Sequence, residues 1–143
     1  MMKLTMQKTL IIKGASILHL PYYDDDRGRL TLLECPSGLP FLVKRAFTIT
    51  DCPENSIRAA HANPADQLLH VLCGSVAVDI DNGEEATNYT LKKSNTALWI
   101  RGGVWIRLSR FERQTALLVL SPVTYSASAQ YPAPQPDKIV DIE

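Results

Sequence analysis

The chain has 143 residues, of which 45% are hydrophobic and 21% charged, and its fifteen basic residues balance fifteen acidic ones. That suits one domain in the range of roughly 100–200 residues, apolar enough to bury a core and too apolar to stay disordered. The zero net charge excludes a general nucleic-acid binder but not a local pocket for one phosphate group, and no apolar run of about 18 residues offers a membrane-spanning helix.

The N-terminus carries Lys3 and Lys8 without the apolar stretch and cleavage site of a signal peptide, so a cytoplasmic protein is expected. In chain order, the sequence reads as short strands. Thr9 to Ile12 is apolar and β-branched, and Leu30 to Leu33 follows a turn-like Asp24-Asp25-Asp26-Arg27-Gly28. Phe41 to Ile49 alternates with both faces partly apolar, which predicts a strand lying between two sheets. Leu68 to Leu72 is stopped by Cys73-Gly74, and Ser75 to Ile80 leads into Asp81-Asn82-Gly83, a hairpin turn signal. Ala97 to Ile100, Val104 to Leu108 and Thr115 to Leu120 complete the set. Strands at this spacing, with no long amphipathic helix, predict an all-β sandwich or barrel.

Residues 1–125 are expected to form the barrel, and 126–143 a Pro-, Ala- and Ser-rich arm lying over the domain or over a neighbouring subunit. Cys35, Cys52 and Cys73 have no metal or redox spacing and read as small apolar residues. His19 and His70 read as structural; His70 shares a strand face with Leu68 and Leu72.

The stretch that carries chemistry is His61-x-Asn63-x3-Gln67-x6-Gly74. It resembles the first signature of the cupin barrels, His-x-His, three or four residues, Glu, six residues, Gly. Arg101-Gly102-Gly103-Val104-Trp105-Ile106 resembles the second, Pro-x-Gly-x2-His, with Ile106 at the histidine position. Cupin metal sites take His, His, Glu and His at these positions. Here they would be His61, Asn63, Gln67 and Ile106, a poor donor set for a transition metal. A metal-free, cofactor-free pocket is therefore expected.

Further landmarks fall in order across about residues 24 to 125: Asp26-Arg27-Gly28-x-Leu30, Phe41-x-Val43-Lys44-Arg45-x-Phe47-x-Ile49, Arg58-x-x-His61-Ala62-Asn63, Gln67 with Gly74-Ser75-Val76, Trp99-Ile100-x-Gly102-Gly103-Val104-Trp105, and Leu118-Val119-Leu120-Ser121 with Tyr125. Together they resemble the WxcM-like nucleotide-sugar 3,4-ketoisomerases, metal-free cupins acting on TDP-4-keto-6-deoxyglucose. The resemblance implies a jelly-roll barrel that shifts a carbonyl between C3 and C4 through an enediol, in deoxysugar synthesis for surface polysaccharide. It also implies a homodimer that exchanges N-terminal strands, for which Thr9 to Leu20 is the candidate segment.

On this resemblance His61 is the acid–base, a role that suits an imidazole because its ordinary pKa lies near 6.5. Asn63 replaces the second family histidine and cannot take a proton, although it can hydrogen-bond a substrate oxygen. Arg58, Gln67 and Arg45 are expected to hold the substrate, with Arg101 a further candidate diphosphate ligand and Trp105 either a stacking surface for a base or sugar or a core residue. Arg45 takes either a diphosphate or a structural Asp or Glu as its partner. Three departures separate the chain from the family pattern: Asn63, Ile106, and the absence of Asp-Tyr-Ile-Arg after the last strand. Three readings follow: a variant isomerase in which His61 alone moves the proton, a non-catalytic module that binds a sugar or sugar nucleotide, and a metal-dependent cupin, which the ligand substitutions oppose.

Overall fold

Period-two alternation of Val, Ile and Leu dominates the sequence, and the chain answers it with strands. The computed structural model describes residues 7–35, 38–126 and 129–140, so Lys3, and residues 127–128 and 141–143 of the expected arm, lie outside the described residues. The strands are β1 (Gln7–Ile12), β2 (Ala15–His19), β3 (Tyr22–Asp25), β4 (Gly28–Thr31), β5 (Arg45–Thr50) and β6 (Arg58–Ala62), followed by β7 (Gln67–Cys73), β8 (Val76–Asp81), β9 (Ala86–Leu91), β10 (Thr96–Ile100), β11 (Trp105–Ser109) and β12 (Ala116–Ser121). A short 3₁₀ turn, Pro136–Lys138, lies near the C-terminus.

All pairings are antiparallel. Six strands form one sheet in the order β1-β2-β10-β7-β12-β5, four form a second in the order β6-β11-β8-β9, and β3-β4 is a separate hairpin. The two larger sheets face each other as a jelly roll. Ile17, Leu69, Val71, Leu98, Leu117 and Val119 of the first sheet meet Val76, Val78, Ile80, Leu91, Ile106 and Leu108 of the second in one buried cluster. Fully burying such a side chain contributes about 1.5–3 kcal/mol, which makes this layer the main source of stability. A second cluster lies on the outer face of the six-stranded sheet, where Leu18, Leu68, Ala97 and Leu120 are covered by Leu33, Cys35, Leu39, Phe41 and Val43 of the β4–β5 connection.

The expected strand over Phe41 to Ile49 is shorter and differently placed. Strand β5 begins at Arg45 and is an edge strand with Ala46, Thr48 and Thr50 exposed. Phe41 and Val43 pack into the outer cluster, whereas Ile49 packs against the inner core. The chain crosses from one side of the sheet to the other near Lys44, whose N–H donates to the Ser121 carbonyl at 2.9 Å. The alternation therefore spans two packing environments, and Arg45 does not share a face with Phe41 and Val43.

Strands β3, β6 and β9 carried too little apolar signal to be anticipated. β9 is polar at most positions and half-exposed. The Asp81-Asn82-Gly83 signal does mark the β8–β9 hairpin, but as a loop built on a buried asparagine. The Asn82 side-chain oxygen accepts from the N–H groups of Glu84 (2.8 Å) and Glu85 (2.7 Å), and its amide donates to the Lys13 carbonyl at 2.9 Å.

His70 is buried on the outer face of β7. Its Nε2 donates to the Ser94 carbonyl at 2.6 Å, so Nδ1 holds the lone pair and has no partner. Burial pushes this imidazole below its ordinary value of 6.5, against the smaller raising effect of the Ser94 bond. The three cysteines are free thiols.

Candidate active site

The two large sheets end in edge strands β5 and β6, and the space between these edges is a cavity of about 380 Å³. Alternation on β5 turns Arg45, Phe47 and Ile49 into it; β7 contributes Gln67 and Leu69; β11 contributes Ile106 and Leu108; β12 contributes Val119 and Ser121. Residues 123–126 and 129–130 complete the lining. Leu69, Ile106, Leu108 and Val119 give the cavity a hydrocarbon floor between the sheets, beside its polar groups.

His61 reaches the cavity from β6. Strand β6 is built irregularly: Ala59 and Ala60 have φ of 65° and 64°, and the pairing with β11 slips so that Ile106 faces His61 while the next residue, Arg107, faces Ala59. Left-handed backbone costs a residue with a Cβ about 1–2 kcal/mol. Such a bulge re-aims the side chains beside it, and here the re-aimed residue is His61. Among the described residues His61 has no protein partner for either ring nitrogen, so its imidazole is available to a ligand.

Asn63 and Gln67 lie on the cavity wall, at either end of the β6–β7 loop. That loop is pinned from behind by Asp66. Its Oδ2 accepts from Trp99 Nε1 at 3.1 Å and Arg101 Nε at 3.0 Å, and its Oδ1 accepts from the Gly102 N–H at 2.8 Å. The Gly103 N–H donates to the Asn63 carbonyl at 2.8 Å. A Cβ on Gly102 would lie 2.3 Å from the Pro64 carbonyl oxygen, so only glycine permits this approach.

Arg45 is the second unsatisfied group. Its buried Nε has no partner, and its guanidinium lies 5.3 Å from the Phe47 ring centre and 5.6 Å from that of Tyr125. No Asp or Glu pairs with it among the described residues. Of the two partners expected for Arg45, the structural carboxylate is absent among the described residues. Arg58 lies at the exposed rim of the same cavity, also without an ion-pair partner among the described residues.

Two expected substrate residues are not brought to the cavity. Arg101 is neutralised by Asp66 and stacks 4.7 Å from the Trp99 ring centre, so its charge is already used. Trp105 alternates with the inward-facing Ile106 and Leu108 and therefore lies on the outer side of β11. Sequence reasoning missed Ser121, Gln130 and the cavity role of Tyr125. Tyr125 follows the last core strand, and that position was its one signal.

The family model described as FdtA: WxcM-like, C-terminal matches residues 13–132. This chain belongs to that family. A curated family relative, the TDP-4-oxo-6-deoxy-alpha-D-glucose-3,4-oxoisomerase of Aneurinibacillus thermoaerophilus, is 30% identical over 102 residues, covering 71% of this chain and 73% of the relative. Among solved structures, the WlaRB TDP-quinovose 3,4-ketoisomerase of Campylobacter jejuni superposes with a TM-score of 0.80 at 32% identity, over 84% of this chain and 93% of that one. QdtA, a sugar 3,4-ketoisomerase of Thermoanaerobacterium thermosaccharolyticum solved in complex with TDP, gives a TM-score of 0.82 at 25% identity over 85% and 90% of the two chains.

Within the WxcM-like fold, the positions that carry metal ligands in other cupins hold one imidazole (His61), two amides (Asn63 and Gln67) and a hydrocarbon (Ile106). That donor set does not fit a transition metal, and the described residues contain no other cluster of three or more His, Cys, Asp or Glu side chains suited to one. Among the described residues no helix is long and apolar enough to cross a membrane.

Proposed function

We propose that this protein is a 3,4-ketoisomerase of a nucleotide-linked 4-keto-6-deoxy sugar, of the kind exemplified by TDP-4-keto-6-deoxyglucose. The observation that carries this reading is the unpartnered His61 imidazole in a cavity that also holds an unpartnered Arg45 guanidinium, in a chain of this family. The hydrocarbon floor suits a methyl-bearing sugar ring. Arg45 and Arg58 suit the diphosphate, because a guanidinium matches phosphate oxygens in a two-pronged fashion. Tyr125, on the rim beside Arg45, offers a ring face to the nucleotide base.

In the reaction, a ring nitrogen of His61 takes the proton from C3 while the C4 carbonyl oxygen takes up a proton from solvent, giving the enediol. Returning a proton from His61 to C4 and releasing the O3 proton to solvent leaves the ketone at C3 and a hydroxyl at C4; the proton released from O3 replaces the one taken up at O4, so atoms and charge balance without a cofactor. Asn63 and Gln67 donate their amide N–H groups to the developing oxygen, which stabilises charge where it forms. Chelation is expected to leave turnover unchanged.

We further propose a cytoplasmic homodimer acting in deoxysugar synthesis for surface polysaccharide. Leu10 on edge strand β1, and Tyr22, Tyr23 and Leu30 on the separate β3–β4 hairpin, are exposed apolar groups that a second copy would cover.

A second reading has its own observation. Asn63 and Ile106 stand where the family pattern has histidines, which favours a binding module without chemistry. Turnover of TDP-4-keto-6-deoxyglucose by the wild type and by His61→Ala separates the two. The isomerase reading expects wild-type turnover, and a loss of about 10²–10⁴ in kcat in the variant with TDP binding kept. Wild-type protein that binds TDP-sugar and never turns it over supports the binding module.

A further inference from the structure

The C-terminal residues pack on this barrel through a seat that the barrel itself provides. Gly83 and Gly103 both have left-handed φ, of +91° and +93°. A Cβ on Gly83 would lie 2.8 Å from Pro136 Cγ, and one on Gly103 would lie 2.9 Å from the Gln135 carbonyl oxygen and 3.0 Å from Ile139 Cγ1. The Gln135 N–H donates to the Gly103 carbonyl at 2.8 Å, and Ile139 is buried in the main core. The arm is thus anchored at its far end by a hydrogen bond, a buried side chain and two positions where a side chain would displace it.

Its near end touches the site. Tyr131 forms an isolated antiparallel bridge with Ala62: the Ala62 N–H donates to the Tyr131 carbonyl at 2.8 Å, and the Tyr131 N–H donates to the Ala62 carbonyl at 2.9 Å. Ala62 lies between His61 and Asn63, on the free edge of the four-stranded sheet, two residues after the left-handed pair Ala59-Ala60. Backbone held in a sparsely populated conformation persists only when its surroundings over-determine it. An edge strand with one paired side is the least constrained place to hold it. Gln130, next to Tyr131, lines the cavity itself.

We propose that the arm over 129–140 is a positioning element of the active site, and that its main-chain bridge at Tyr131 fixes the direction in which His61 and Asn63 enter the cavity. The catalytic consequence rests on His61 being the acid–base; the positioning itself does not.

The test uses two full-length variants. Tyr131→Pro removes the N–H that bonds Ala62 and leaves the Ile139 anchor in place. Ile139→Ala loosens the anchor and leaves the bridge atoms intact. For each, amide exchange across β6, the His61 imidazole resonances, TDP affinity and kcat are measured. Misplacing a catalytic group by about 1 Å costs up to about a hundredfold, so kcat is expected to fall about ten- to a hundredfold. TDP affinity is expected to stay within about threefold, the Ala62 amide to lose protection and the His61 resonances to move. Unchanged β6 exchange and kcat in a folded Tyr131→Pro variant would overturn the proposal, as would a fall in TDP affinity that matches the fall in kcat, which makes the arm only a wall. Should the wild type prove inert toward the sugar, exchange and the His61 resonances still decide: movement upholds the positioning and constancy overturns it.

Discussion

Ala59 and Ala60 concentrate the local strain of the site in two adjacent left-handed residues beside His61. Replacing Ala59 by glycine relieves about 1–2 kcal/mol of steric cost and adds about 0.5–1 kcal/mol of unfolded-state entropy, so the variant is expected to be about 0.5–1 kcal/mol more stable. Thermal melting checks this, with Tm rising by about 2–4 °C; a lower Tm would show that the methyl group contributes packing worth more than the strain. His70 gives a pH dependence with a defined sign. Its folded-state pKa lies below 6.5, so below that pH the unfolded chain binds a proton that the folded chain refuses. Stability is therefore expected to fall as pH drops from 6.5 toward the folded-state pKa. Urea midpoints of wild type and His70→Gln across pH 5–8 isolate the effect, because glutamine keeps an amide donor for the Ser94 carbonyl and does not titrate. Identical slopes would contradict it. At this scale His61, Asn63, Gln67, Arg45 and Arg58 were legible from spacing and resemblance, and the structure gathers them in one cavity. Arg101 lies outside that cavity, paired with Asp66, and nothing in linear order reveals that Asp66 folds back onto it. Trp105 was avoidable: once Ile106 is taken as inward, strand alternation sends Trp105 out.

At the level of elements, the site is a loop held between two strands. Asp66 ties the β6–β7 loop to the end of β10 and to the Gly102-Gly103 turn with three accepted hydrogen bonds. Asp66→Ala leaves the Arg101 guanidinium, the Trp99 indole N–H and the Gly102 N–H without this acceptor. Both members of the Asp66–Arg101 pair are mostly buried, so the loss is expected to be about 2–3 kcal/mol, below the full cost of breaking a wholly buried pair. Chemical denaturation reads the loss, and a change below about 0.5 kcal/mol would mean that water replaces Asp66 readily, as at an ordinary surface position. Strands rich in apolar residues were visible in the sequence, either as alternating runs (β8 and β11) or as near-continuous ones (β7, β10 and β12). β6 was not, since its Arg-Ala-Ala-His-Ala run has small side chains and its backbone is held by tertiary contacts with β11 and Tyr131. β3 was hidden in its acidic residues, which the hairpin pairs with arginines: Asp24 with Arg29 and Asp25 with Arg27. Those hydrogen bonds hold both carboxyls below their ordinary value.

For the whole molecule, the jelly roll explains where a ligand enters. The inner core closes most of the space between the sheets, and the remaining gap opens between edges β5 and β6, where a charged residue and a histidine replace the aliphatic layer. The rhythm of strands made this architecture legible. The arm's role was not, because its contacts to Ala62 and Gly103 span long stretches of chain and leave no periodic trace. The exposed apolar groups of β1 and the β3–β4 hairpin lead to the expectation of a species with twice the 15.9 kDa chain mass in sedimentation. A monomer at working concentration would contradict it.

The proposed function turns on one step, removal by His61 of the C3 proton of a nucleotide-linked 4-keto-6-deoxy sugar. Proton NMR of the protein with TDP-4-keto-6-deoxyglucose in deuterated buffer reads that step directly. Loss of the C3 proton signal together with new 3-keto sugar resonances is expected with wild-type protein, and neither with His61→Ala. A C3 signal that persists unchanged with wild-type protein, while line broadening reports that the sugar nucleotide is bound, would contradict it.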